Sequence, residues 1–188
     1  MKSADDNIVY LIEKCKENDR LSQKIIYEKY YGKMMGVALR YFNNSDIARD
    51  IVQESFIKIF KKIDQFKGGK NFEGWIKRIV VNHSLDQLRK NKNIYFVSDE
   101  TIKNISEEKE EDLSNYKNLK TSDVIEAVQQ LSSGYRTVFN LYIFDGLTHK
   151  EIAKLLNISE GTSKSNYYKA KSKLKEILSK KDNLEKPV

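Results

Sequence analysis

Cysteine and proline each occur once in 188 residues, as Cys15 and Pro187. A single thiol excludes an intramolecular disulfide and any Cys-rich zinc site, so a reducing, cytoplasmic setting is expected. With one proline and eight glycines among many Lys, Ile and Leu, helix breakers are scarce, and an all-helical protein is expected. No apolar run is long enough to span a membrane, and the opening Met-Lys-Ser-Ala-Asp-Asp has no signal-peptide core; membrane insertion is not expected. The only histidines, His83 and His149, each lack a companion ligand, and neither a metal nor another cofactor is expected. No internal repeat is present. What the chain does have is charge, 32% of residues with a net +7, which suggests a polyanionic partner without specifying one.

The stretch Thr148–Leu174 carries the most local information. Thr148 stands three residues before Glu151, the spacing of a capping box that starts a helix. Ile152, Leu155 and Leu156 give that helix one apolar face, and Asn157 tolerates the left-handed turn that would end it. Ser159 can cap a second helix with Glu160 in its first turn. Two short helices joined so tightly, with small Ala153 at the crossing, form a helix-turn-helix, whose second helix enters the major groove of DNA. From Ser159 to Lys181 there are seven Lys and two Glu, a formal +5 suited to phosphate contact. The competing reading is an ordinary helical hairpin with a solvated lysine face.

The first half reads as four helices. Residues 5–19 surround Ile8, Leu11 and Ile12 with mixed charge. Ser22 can cap the next helix, in which Ile26, Tyr30, Met34, Val37 and Tyr41 recur at steps of three and four. Asn43–Ser45 interrupt the pattern, and Ser45 or Asp46 can begin a third helix with an apolar stripe of Ile47, Ile51, Val52, Phe56, Ile59, Phe60 and Ile63. Asp46, Asp50 and Glu54 recur every four residues on its other side, beside Gln53. Like charges at that spacing weaken an isolated helix, so a basic partner surface is expected to compensate; a merely solvated acidic face is the alternative. Gln65–Asn71 is a glycine-centred loop with Lys67 and Lys70. A fourth helix is expected from Phe72 to about Lys92, with Phe72, Trp75, Ile76, Ile79 and Val80 toward the core. Arg78, Asn82, Asp86 and Arg89 then share a polar face suited to phosphate and base edges. Trp75 and His83 read as packing residues rather than a base platform or a ligand.

From Ser98 to Tyr116 seven acids face two lysines, a formal −5 with little apolar content, and a flexible acidic linker is expected at 96–120 between domains 1–95 and 121–188. Beyond it, Val124, Ile125, Val128 and Leu131 pattern one helix. Ser132–Gly134 read as its turn, Tyr135–Asp145 as the next helix with Val138, Leu141 and Tyr142 inward, and Gly146 as its stop. The tail after Lys180 is expected to fray.

Two blocks resemble the bacterial RNA polymerase sigma factors of the small extracytoplasmic-function group. The first is Asp50-Ile-Val-Gln-Glu-Ser-Phe-Ile-Lys-Ile-Phe60, with Phe72-Glu-Gly-Trp-Ile-Lys-Arg-Ile-Val-Val-Asn82 and Leu85-Asp-Gln-Leu-Arg89. The second is Tyr135–Tyr142, Gly146–Ala153 and Ser159–Ser165. The resemblance covers about residues 22–92 and 121–178, and both blocks in this order are far more specific than a helix-turn-helix alone. It implies two helical modules, regions two and four, no enzyme activity, and an alternative sigma factor that binds bacterial core RNA polymerase and directs it to promoter DNA. It assigns Asp50, Gln53 and Glu54 to the polymerase. It assigns Asn82, with Arg78, Arg89, Lys67 and Lys70, to the promoter −10 element, and Thr162, Lys164, Ser165, Tyr168 and Lys169 to the −35 element. The linker would thread into the polymerase, and an anti-sigma factor is a further partner that family members often have.

Three positions depart from the resembled pattern. Ser163 stands where Val is usual, and Asn166 and Lys169 where Arg is usual. Lys cannot grip guanine with two parallel bonds as Arg can, which leaves the promoter preference open. Two other readings compete with the sigma factor. One is a two-domain regulator that binds DNA without polymerase. The other is a phosphoryl-transfer enzyme that holds a metal between Asp46, Asp50 and Glu54, although no nucleophile or phosphate loop accompanies them.

Overall fold

The computed structural model describes residues 4–68, 71–90, 96 and 121–184, all helix or connecting turn. The chain divides into two compact units, Met1–Asn91 and Lys92–Val188. All but one residue of the expected acidic linker, and Lys70 with it, lie outside the described residues.

The first unit contains α1 (Ala4–Lys16), α2 (Arg20–Leu39), α3 (Ser45–Lys61), a 3₁₀ turn at Ile63–Gln65 and α4 (Phe72–Lys90). Helix α2 is capped by Asp19, not Ser22. The Asp19 carboxylate accepts the Ser22 N–H at 2.8 Å, while Ser22 itself is buried in the first turn. Aspartate with extended backbone satisfies an orphan donor there as well as serine would. Helix α3 starts from Asn44, whose side chain accepts from Asp46 and Ile47 N–H groups at 2.8 and 3.1 Å. Asn71 caps α4 through Gly74 N–H at 2.7 Å.

The core of this unit follows the expected spacing at most positions, although Phe60, Trp75 and Ile79 are only half-buried. Ile26, Tyr30, Met34 and Val37 are buried along α2, but Tyr41 lies past the helix end and is fully buried in the turn. On α3 the buried line runs through Ala48, Ile51, Val52, Phe56 and Ile59. Ile47, next to Ala48 and therefore about 100° round the helix, is 41% exposed. The small residues Ala48 and Ser55 line the packed side instead. Helices α2, α3 and α4 pack on one another, with Ile76, Val80, Leu85 and Leu88 of α4 buried, and α1 covers α2 with Leu11 and Ile12. Fully burying such aliphatic side chains stabilises a fold by about 1.5–3 kcal/mol each.

The second unit contains α5 (Thr121–Gln129), α6 (Ser133–Phe139), α7 (His149–Leu156) and α8 (Glu160–Leu184). Ala127, Val128, Leu131, Phe139, Ala170, Leu174 and Leu178 form its core. Ser133 and Gly134, expected in the turn, belong to α6, because Arg136 N–H already bonds the Ser132 carbonyl at 2.9 Å. Helix α6 widens into a π-helical turn over Asn140–Phe144 and stops at Gly146, whose φ of 68° suits glycine. Helix α8 continues past Lys180 to Leu184, farther than the tail expectation allowed.

The helix-turn-helix has the expected joints. Thr148 Oγ1 accepts Glu151 N–H at 3.3 Å, and the Glu151 carboxylate accepts Thr148 N–H at 2.8 Å. Asn157 adopts φ 55°, ψ 52°, and Ser159 Oγ accepts Thr162 N–H at 2.8 Å to start α8. Removing the cap by Thr148→Ala is expected to destabilise α7 by about 1 kcal/mol. Hydrogen exchange of the α7 amides in the full chain checks this; unchanged protection would contradict the capping role.

Candidate functional site

The expected site residues form three sets of polar side chains, on α3, on α4 with its preceding loop, and on α8. The first is on α3, where Asp46, Asp50, Gln53 and Glu54 are all exposed. Burial of the Ala48–Ile59 line against α2 and α4 turns the opposite side of the helix outward. The charge repulsion expected along this row is relieved in part within the unit. Arg49 Nη1 pairs with Asp46 Oδ1 at 3.1 Å, and His83 Nε2 of α4 meets Glu54 Oε2 at 3.0 Å. Ile57, 55% exposed, follows Gln53 by four residues and lies on the same side. Successive acids four residues apart are about 6 Å apart along the axis. Among the described residues no three or more His, Cys, Asp or Glu come together as a metal site.

The second set is on α4. Arg78, Asn82, Asp86 and Arg89 are exposed, as expected, while Ile76, Val80 and Leu88 face inward. Asp86 Oδ1 accepts from Arg89 Nη1 at 3.2 Å, an exposed pair that orients the guanidinium while contributing little stability. Lys67 is exposed beside Gly68, which has φ 81°. Trp75 is half-buried rather than sealed in the core. Its ring lies 5.5 Å from Phe66 and 5.8 Å from Phe72, and Phe66 meets Phe72 at 5.2 Å, so an aromatic cluster anchors the loop to the start of α4.

The third set, on α8, is divided by the helix. Lys164 is exposed and pairs with Glu160 at 3.0 Å; Tyr168 and Lys169 are half-buried. Thr162 and Ser165 turn inward instead, at 9% and 1% exposure. Ser165 Oγ and Asn166 Nδ2 both donate to the Thr162 carbonyl, at 2.9 and 2.8 Å, and Thr162 Oγ1 accepts from Ser159 Oγ at 2.9 Å. Thus the five expected −35 residues are not equally exposed: Thr162 bonds Ser159 at the start of α8, and Ser165 bonds back to Thr162 within the helix.

Both histidines tie helices together, which no sequence pattern announced. His83, 6% exposed, also places Nδ1 3.1 Å from Ser55 Oγ on α3. His149 Nδ1 lies 2.9 Å from Ser163 Oγ, joining the two helices of the helix-turn-helix. The His149 ring stacks on Tyr142 at 4.5 Å and meets Tyr167 at 5.5 Å. Ser163 therefore keeps a hydrogen-bond partner although fully buried, and the Ser for Val departure leaves no orphan hydroxyl. Burial lowers the pKa of both imidazoles, assisted by Lys58 at His83 and by Lys164 at His149.

The sigma-70 region 2 family model matches residues 26–94 and the sigma-70 region 4 model matches residues 122–174. The RNA polymerase sigma factor SigV of Bacillus subtilis is 33% identical over 146 residues, covering 78% of this chain and 84% of SigV. The ECF RNA polymerase sigma-E factor of Escherichia coli K12 is 27% identical over 172 residues, covering 86% of this chain and 88% of that protein. The solved sigma factor RpoE, in complex with the anti-sigma factor NepR from Bartonella quintana, has the same fold. It aligns with a TM-score of 0.51 at 22% identity, over 83% of this chain and 96% of RpoE. The chain belongs to the sigma-70 family of bacterial RNA polymerase sigma factors, in its extracytoplasmic-function group. It is an alternative sigma factor, which binds core RNA polymerase and promoter DNA and directs promoter-specific transcription initiation. Among the described residues no helix is long and apolar enough to cross a membrane.

A half-buried imidazole with lowered pKa makes the fold pH-dependent. The folded form of His149 resists protonation more than the unfolded form, so stability is fully present above the ordinary value of 6.5 and is lost as pH falls through it. Protection of α7 and α8 amides, corrected for intrinsic exchange, is expected to drop between pH 7.5 and 5.5. The drop should shrink in His149→Phe; equal drops in both proteins would contradict the assignment.

Proposed function

We propose that the acidic row on α3 and the polar rows on α4 and α8 divide the work of initiation. Asp50, Gln53 and Glu54 dock on core polymerase. Asn82 reads an unstacked base of the −10 element, with Arg78, Arg89, Lys67 and Lys70 along its backbone. Lys164, Tyr168 and Lys169 contact the −35 element in duplex form, while Thr162 and Ser165 hold the recognition helix in its register. The observation that carries this reading is the exposure, within one compact unit, of carboxylates on α3 and of Arg and Asn side chains on α4. Acidic groups repel DNA and suit a basic protein surface, whereas Arg and Asn suit phosphates and base edges.

The protein acts without chemistry of its own, in the cytoplasm, by redirecting the catalytic activity of its polymerase. An anti-sigma factor is a further partner, as RpoE has in its complex with NepR. The linker between the units passes into the polymerase, where its carboxylates stand in for nucleic-acid phosphates.

Two substitutions test the division. Asp50→Ala is expected to weaken binding to core polymerase about tenfold in equilibrium titrations while leaving thermal unfolding unchanged; unaltered affinity would contradict the docking role. Lys164→Ala is expected to lower −35 affinity and to reduce the slope of log K against log salt by about 1. An identical slope would remove Lys164 from the phosphate contacts.

A further inference from the structure

Glu54 differs from the other exposed acids of α3 in being held by a buried side chain. Its carboxylate is 63% exposed, yet Oε2 lies 3.0 Å from Nε2 of His83, whose own side chain is 6% exposed. The other ring nitrogen, Nδ1, lies 3.1 Å from the hydroxyl of Ser55, which is fully buried. The imidazole thus rests on α3 through one nitrogen and reaches the edge of the unit through the other. It occupies the position directly after Asn82 on α4.

A glutamate on a helix surface samples several rotamers, and docking must freeze them. A buried donor fixed at its far edge removes much of that freedom beforehand. We propose that His83 is a positioning residue for polymerase docking, which holds the Glu54 carboxylate in its bound orientation by a hydrogen bond from Nε2. This rests on the assignment of Glu54 to the polymerase. In the neutral ring with the proton on Nε2, Ser55 donates its hydroxyl hydrogen to Nδ1, and Nε2–H donates to Glu54. The carboxylate is then oriented without being neutralised, and its full negative charge remains for a basic partner.

The surroundings keep the ring uncharged near neutral pH. Burial and the Lys58 cation disfavour a second proton, and they outweigh Glu54, the Ile51 carbonyl and Asp86, which favour it. Below the ordinary histidine value of 6.5, protonation would convert the orienting bond into an ion pair that competes with the polymerase for Glu54. Docking should therefore weaken on acidification through a group that does not itself touch the polymerase.

The test is a double-mutant cycle on the full chain, titrated against bacterial core RNA polymerase between pH 5.5 and 8. His83→Leu should weaken binding at pH 7.5 about three- to tenfold, the range expected for one unrestrained side chain. The same substitution should have no further effect in Glu54→Ala. His83→Gln keeps an N–H donor but cannot titrate; it should recover most of the loss and flatten the acid limb of the pH profile. Thermal unfolding of each variant accompanies the titrations. If Glu54→Ala alone binds as tightly as the parent, the docking assignment fails. If Glu54→Ala weakens binding but His83→Leu costs the same with and without Glu54, that assignment stands and His83 is only a packing residue. Loss of folding in His83→Leu leaves the decision to His83→Gln, whose unaltered acid limb would overturn the proposal.

Discussion

The packing of α4 against α2 and α3 decides what the N-terminal unit can offer a partner. Ile76, Val80, Leu85 and Leu88 are buried there, and a helix with one buried side must present the other. That single constraint sets Arg78, Asn82 and Arg89 in an outward row. The matching constraint on α3, through Ala48, Val52 and Ile59, presents Asp50, Gln53 and Glu54. The core thus decides which side chains of α3 and of α4 face outward.

Polar groups buried between the helices then refine the orientation that apolar packing makes only approximate. His83 bridges Ser55 and Glu54, and His149 bridges to Ser163 while stacking on Tyr142. In α8 the Thr162 carbonyl gathers the side chains of Ser165 and Asn166. Each contact satisfies a group that would be costly to bury alone, and the two histidine contacts also join one helix to another. The substitution of serine for an apolar residue at position 163 makes sense in this light, since His149 supplies its partner.

The fold, and which side of α3 and of α4 faces outward, were legible in the sequence because both follow from helical periodicity. The capping box at Thr148, the left-handed Asn157 and the stop at Gly146 are local effects, fixed by residues within one turn of each other. Legibility failed where two elements compete for one residue. Thr162 and Ser165 were assigned to the −35 element by the resemblance alone, and their burial, at 9% and 1% exposure, follows from tertiary packing that no local pattern announces. Ile47 looked buried because its neighbours were, yet Ala48 occupies the contact. The roles of His83 and His149 depend on partners 28 and 14 residues away, beyond the reach of any periodic pattern.

The central claim is that this chain selects promoters only as part of RNA polymerase. The most direct measurement mixes the purified protein with bacterial core polymerase and fragmented genomic DNA, then maps the transcript starts. Discrete starts that need the protein and share two upstream motifs are the predicted result. No protein-dependent starts, together with sequence-specific DNA binding in the absence of polymerase, would contradict it.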